Sequence, residues 1–254
     1  MIQSDSIFNR FFDISTGLAG EVISSLIVMG IIAVLCIYIY IRARFADPLK
    51  KPRGLLFLAE TGVNFFDNLT MDMMGTKFDG FGALVLAVAV YLFISFIFGL
   101  TGLPSPITNL AVPLSLGLVA FGFIHYTSMK YTGIKYFKRY VDPIPIFLPI
   151  NLISMWAPLL SLTFRLFGNA LAGWTLMSIV YWGLESLSSA IFSFIPGGGA
   201  AVILPPFITP ILHLYFDLFS GLIQTIVFIF LFMIFVANEA PMEDIDNVSA
   251  KGGR

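Results

Sequence analysis

Along most of the chain apolar residues run on, without the alternation with polar positions that marks a half-buried soluble element. From about Leu18 to Ile41, roughly 24 residues in near-continuous apolar order predict a helix long enough to cross a ~30 Å hydrocarbon core with some tilt. Two more spans are predicted from about Gly82 to Leu100 and from about Thr108 to Met129, joined by TGLPSPITN, a turn without Lys or Arg. The segment from Leu55 to about Met74 reads differently. Leu55, Leu58, Val63, Phe66, Leu69 and Met73 fall at helical spacing with Glu60, Asn64, Asp67 and Asp72 between them. That pattern predicts an amphipathic helix over 52–74, either lying in the membrane interface or laid against protein.

Beyond Pro143 the pattern changes again. Two apolar stretches, about 143–182 and 201–237, are each too long for one upright crossing: as continuous helices they would reach roughly 55 to 60 Å, twice the core thickness. Either prolines break them, with Pro143, Pro145, Pro149 and Pro158 in the first and Pro205, Pro206 and Pro210 in the second, or they lie strongly tilted. SFIPGGGAA between them is expected to be a flexible outer turn. No internal period or mirrored half is visible. The expected architecture is an all-α integral membrane protein of about five membrane-embedded helices, the last two long and strongly tilted, plus one interfacial amphipathic helix. Its expected divisions are an external N-terminus (1–17), N-terminal helices (18–129), a basic cytoplasmic loop (130–142), a tilted pair (143–238) and a polar cytoplasmic tail (239–254).

Composition supports this reading: 58% of the 254 residues are hydrophobic and 11% charged, where a soluble domain would carry about a quarter charged. Net charge is -1, so nothing global points to nucleic acid. The lone Cys36 supports neither a disulfide framework nor a cysteine metal site. The N-terminal MIQSDSIFNRFFDIS precedes a run too long for a signal-peptide core and has no small-residue cleavage site after it, so the first helix is expected to be retained. The basic residues are clustered. Arg42, Arg44, Lys50, Lys51 and Arg53 follow the first span, and Lys130, Lys135, Lys138 and Arg139 follow the third. By the positive-inside rule both loops are cytoplasmic and the N-terminus lies outside.

Charges within the last two stretches carry the chemistry. Between Tyr140 and Ala250, Arg165 is the only Lys or Arg, and the acids within 143–238 are Glu185, near the expected outer turn, and Asp217. At 3.6 residues per turn, Asn151, Ser154, Pro158, Ser161, Arg165, Asn169 and Ala172 form one polar, small-residue seam; Thr209, His213, Asp217, Ser220 and Gln224 form another. Such seams could simply join helices in the bilayer, with Asp217 answering Arg165. Polar residues at this depth also line ion pathways. Arginine suits a site that needs a permanent positive charge, because its guanidinium keeps its proton where a buried Lys can lose it. The answering carboxylate is then Asp217 or a group on another subunit. His125, at the end of the third span, reads as a packing or interfacial residue.

SLTFRLFGNALAG (Ser161–Gly173), followed by Gln224 in GLIQTIVFIF, resembles the stator subunit a of the membrane sector of F-type ATP synthases. PRGLLFLAETGVNFF, SPITNLAVPLSLGL and DPIPIFLPINLIS extend the likeness over most of the chain. The resemblance implies two tilted helices wrapping a c-subunit ring, two offset aqueous half-channels, peripheral-stalk b subunits, and H⁺ or Na⁺ as the ion carried. It implies that Arg165 is the essential arginine facing each ring carboxylate, with Asn169 and Gln224 at the same interface and Asp217 in a half-channel; Ser161, Asn151 and, without a strict match, His213 complete the candidate set. Two positions depart from the family pattern. Trp174, nine residues after Arg165, and Asn151, fourteen before it, stand where ionisable residues are common. No cofactor, metal cluster or catalytic motif is expected, so ATP chemistry would belong to other subunits of the complex. The rival readings are a small secondary transporter with Arg165 on an anionic substrate, and a structural scaffold. The Lys-rich loops, HYTSMKYTGIKYF and PIPIFLP favour a bacterial plasma membrane over the mitochondrial inner membrane.

Overall fold

A computed structural model describes residues 20–46, 54–78, 80–101, 103–133, 136, 144–192 and 203–240. The N-terminal segment 1–17, the basic residues Lys50, Lys51 and Arg53, most of loop 130–142, SFIPGGGAA and the tail beyond Ala240 lie outside them.

The described residues are helical, without strands. Helix α1 runs over Gly20–Arg44, α2 over Leu55–Met74, α3 over Phe81–Ile97, α4 over Ala111–Thr132 and α5 over Leu148–Ile191. The last membrane segment is built from α6 (Pro205–His213), a π-helical turn (Leu214–Phe219) and α7 (Ser220–Ala237). Among the described residues, five helices are long and apolar enough to cross a membrane: α1, α3 with its 3₁₀ extension, α4, α5, and the α6–π–α7 unit of 33 residues. The chain is an all-α integral membrane protein.

The prolines do not break the overlong stretches. α5 holds 44 residues through Pro158 without interruption, about 66 Å of helix. Pro149 falls in its first turn, where the missing N–H costs nothing. α5 extends nine residues past the expected end at 182, so Glu185 lies on its exposed surface, within the helix. In the second stretch Pro205 and Pro206 open α6, and Pro210 withdraws a donor from the ladder just before the backbone widens into the π turn. At the far end of α5, the Leu204 N–H donates to Ser188 Oγ at 3.3 Å and ties the approach to α6 back onto α5.

The amphipathic helix α2 divides its expected apolar stripe. Phe66, Leu69 and Met73 pack against the core, whereas Leu55, Leu58 and Val63 are exposed. Its C-terminal half thus lies against protein and its N-terminal half faces outward.

The core gathers Val85, Leu92 and Phe96 of α3, Ala120 and Ile124 of α4, Leu162 and Leu166 of α5, and Phe228, Phe232, Met233 and Val236 of α7. Glycines set helix spacing at several contacts, Gly221 and Gly117 among them. A Cβ on Gly221 would lie 2.6 Å from Phe96 Cβ, and one on Gly117 would meet the Thr163 hydroxyl and stand 3.1 Å from a Leu159 methyl. Only hydrogen fits there, so α7 closes on α3 and α4 on α5, as small residues permit in membrane bundles. By contrast much of α1, including Val34, Ile37 and Tyr40, is exposed aliphatic or aromatic surface suited to lipid.

Candidate functional site

The candidate residues lie along the line where α5 meets the α6–π–α7 unit. On α5, Leu159, Leu162 and Leu166 turn into the core, while Phe164 is exposed. Arg165 stands at the rim between these faces and is partly buried. Ser161, Gly168 and Ala172, one turn before, one after and two after it, are exposed, and a Cβ built on Gly168 meets nothing within 4 Å. The cation therefore sits in a shallow lane of small side chains bordered by exposed Leu160 and Phe164.

Among the described residues Arg165 has one hydrogen-bond partner: its Nη2 donates to Ser161 Oγ at a long 3.4 Å. No ion pair joins it to Asp217. That carboxylate is engaged elsewhere, with Oδ2 2.7 Å from Nδ1 of His213, one turn earlier and across the start of the π segment. Of the two answers the sequence left open for Arg165, the acid of its own chain faces histidine in this structure.

The imidazole continues the contact. His213 Nε2 lies 3.1 Å from the Tyr181 hydroxyl on α5, so Tyr181, His213 and Asp217 form an unbroken hydrogen-bonded chain across the helix pair. His213 and Asp217 retain side-chain exposures of 30% and 26%, which leaves water access without full solvation. The far side of the carboxylate is bounded by the turn after α3, where a Cβ on Gly99 would come 3.8 Å from Asp217 Cγ and Oδ2. Further along the line, Ser220 Oγ donates to Asn169 Oδ1 at 3.1 Å, one turn from Arg165.

The remaining candidates are placed differently. Gln224 is 8% exposed, and its Nε2 has no partner among the described residues, so it points into the bundle of this chain. Asn151 is near the start of α5, almost four turns before Arg165, partly buried and bonded. Trp174 is 54% exposed; nine residues at ~100° each put it on the face of α5 opposite Arg165.

Tyr181 is the residue that reading by seams missed. It lies two turns beyond Trp174 on the same face, off the Arg165 stripe, and reaches histidine because α6 crosses there. The signal available was its own: a phenol within an otherwise apolar membrane segment needs a partner for its hydroxyl.

The described residues define an all-α integral membrane protein that carries a cation on one overlong helix and an imidazole–carboxylate pair on the next. Residues 22–237 match the ATP synthase A chain family, and the chain belongs to it, the stator subunit a of F-type ATP synthases. It is 28% identical over 253 residues to ATP synthase subunit a of Mycoplasmoides gallisepticum, covering 92% of this chain and 82% of that one. To the Oceanobacillus iheyensis subunit it is 30% identical over 204 residues, 76% and 80% of the two chains. The Bacillus pumilus subunit is 27% identical over 235 residues, 87% and 93%.

Proposed function

We infer that this chain conducts H⁺ or Na⁺ through two offset half-channels to and from the carboxylates of a rotating c-subunit ring, and so couples ion flow to ATP synthesis or hydrolysis. The observation that carries this reading is the state of Arg165: a permanent cation at the rim of α5, in a lane of small residues, with only a serine hydroxyl to answer it among the described residues. A buried or membrane-facing cation without a countercharge is costly. An acid on a helix of another subunit, approaching over Ser161, Gly168 and Ala172, supplies the charge. As each ring carboxylate arrives, Arg165 favours its ionised form and releases its ion to one half-channel. The same fixed charge repels cations that would otherwise leak directly between the two.

Arg42 and Arg44 in the last turn of α1 and Lys130 in the last turn of α4 support a cytoplasmic side for those ends under the positive-inside rule, and with it an outer N-terminus and inner C-terminus. α5 then runs outward, tilted because ~66 Å of helix exceeds the ~30 Å core. The Tyr181–His213–Asp217 contact falls on the outer side of Arg165. With Ser220 and Asn169 it marks the outer half-channel, which ends at the cation. Bacterial relatives favour a bacterial plasma membrane, with the c-ring and b subunits as partners.

One charge crossing 100 mV yields ~2.3 kcal/mol, so several ions must pass for each ATP. The test is Arg165→Lys in the complete complex reconstituted in liposomes. Loss of ATP-driven ion pumping with normal subunit content is expected; pumping at the wild-type rate would leave only a structural role for the residue.

A further inference from the structure

The Tyr181–His213–Asp217 chain does more than mark a channel wall. His213 Nδ1 lies 2.7 Å from an oxygen of Asp217; whenever that carboxylate is ionised it can only accept, and Nδ1 must then carry the proton. In the neutral ring Nε2 is then an acceptor, and it faces the Tyr181 hydroxyl, a donor, at 3.1 Å. With Asp217 ionised the Nδ1–H tautomer gives every group its partner, and with Asp217 protonated the Nε2–H tautomer does. The arrangement spans two helices and is sited at a π turn, a backbone irregularity common at functional positions.

We propose that Tyr181 is a member of the ion path, acting through His213, and that the ion reaching Asp217 from the outer side is a proton. This rests on the reading of Asp217 as a half-channel carboxylate. In the transfer, Tyr181 O takes a proton from water as its own O–H proton passes to His213 Nε2, and the Nδ1 proton passes to Asp217 Oδ2. One proton has moved from water to the carboxylate; Tyr181 is again a phenol, His213 is neutral with its proton on Nε2, and the hydroxide left in the water is neutralised from bulk. Once Asp217 has passed its proton on, Nε2 gives its proton to water and Nδ1 takes one from water, with no net change in proton count, and the chain is reset. Tyr181 holds the ring in the donating tautomer between transfers, in the way that a partner on one ring nitrogen fixes the other.

The imidazole between phenol and carboxylate offers no oxygen cage for a metal cation. Its two nitrogens are already taken up, and hard cations need several oxygen ligands at once. A proton needs only this line of donors and acceptors.

The test uses the complete ATP synthase in liposomes, with Tyr181→Phe, His213→Gln and Asp217→Asn compared for ATP-driven acidification. Phenylalanine keeps the ring and removes only the hydroxyl. The expected result is a fall on the order of tenfold or more for Tyr181→Phe and His213→Gln, with subunit content unchanged. A second readout follows tautomer directly. The chain has two histidines, so ¹⁵N-histidine labelling of this subunit gives two imidazole spin systems, and His125→Gln assigns them. His213 is expected as the Nδ1–H form in wild type and as a mixture in Tyr181→Phe, a change that loss of packing alone does not produce. Wild-type pumping by Tyr181→Phe, or an unchanged tautomer, overturns the proposal even if Asp217→Asn is inactive. Wild-type pumping by Asp217→Asn overturns the half-channel reading itself.

Discussion

Replacing Asp217 by Asn separates stability from transport within one residue. The Asp217 side chain lies 2.7 Å from His213 Nδ1, accepting from it whenever it is ionised, and is about a quarter exposed. Asparagine has nearly the same shape, and its amide oxygen still accepts from Nδ1–H. What is lost is the charge assistance. A bond to a charged group contributes about 1.5–3 kcal/mol and a neutral one about 0.5–1.5, so the substitution costs about 1 kcal/mol, reduced further by solvent at the exposed edge. That is too little to prevent assembly of a chain whose core lies elsewhere, on α3, α4, α5 and α7. Transport is a different matter, since an amide neither takes up nor releases a proton near neutral pH. A positioned acid–base group accounts for about 10²–10⁴ in rate, and a drop in pumping of at least ~100-fold is expected. The assay is quenching of a pH-sensitive dye by ATP-energised liposomes holding the whole complex, with subunit content measured on the same sample. Pumping within about twofold of wild type, in fully assembled complex, would refute the reasoning, because the factor assigned to the Asp217 carboxylate would then be absent.

Other substitutions divide packing from chemistry. Gly221→Ala places a methyl 2.6 Å from Phe96 Cβ and is expected to cost about 1–3 kcal/mol, read as a lower midpoint for thermal dissociation of the complex. Trp174→Phe changes a side chain that is 54% exposed and opposite Arg165, so pumping is expected to stay within about twofold of wild type, the scale of a surface change of ~0.5 kcal/mol.

The membrane helices were legible because hydrocarbon imposes a length and a composition that few other environments do. α3 and α4 begin and end within a few residues of the expected 82–100 and 108–129. The overlong stretches were legible as lengths only. Proline density did not reveal that α5 continues through Pro158, because proline inside a membrane helix removes one backbone hydrogen bond without forcing the helix to end. The π turn at Leu214–Phe219 was invisible for a related reason: spacing by 3.6 assumes a regular ladder, and Pro210 disturbs it. The seams put Asn169 and Ser220 on facing stripes and His213 and Asp217 one turn apart, and the structure joins each pair by a hydrogen bond that the stripes alone did not specify. They could not bring in Tyr181, whose partner is chosen by where α6 crosses α5, a property of two helices that neither pattern contains alone.

The central claim is that Arg165 is answered by a carboxylate from another subunit across the lane at Ser161, Gly168 and Ala172. Disulfide trapping tests it most directly: Gly168→Cys, with Cys36→Ser to remove the native thiol, against single cysteines placed within one turn of the ring carboxylate. A Cβ on Gly168 meets nothing of its own chain, so the substitution leaves the fold intact. The account predicts a disulfide between this chain and a c subunit that forms on oxidation, stops ATP-driven pumping and is reversed by reductant. Absence of any adduct with c subunits, in complex that pumps normally before oxidation, would contradict it.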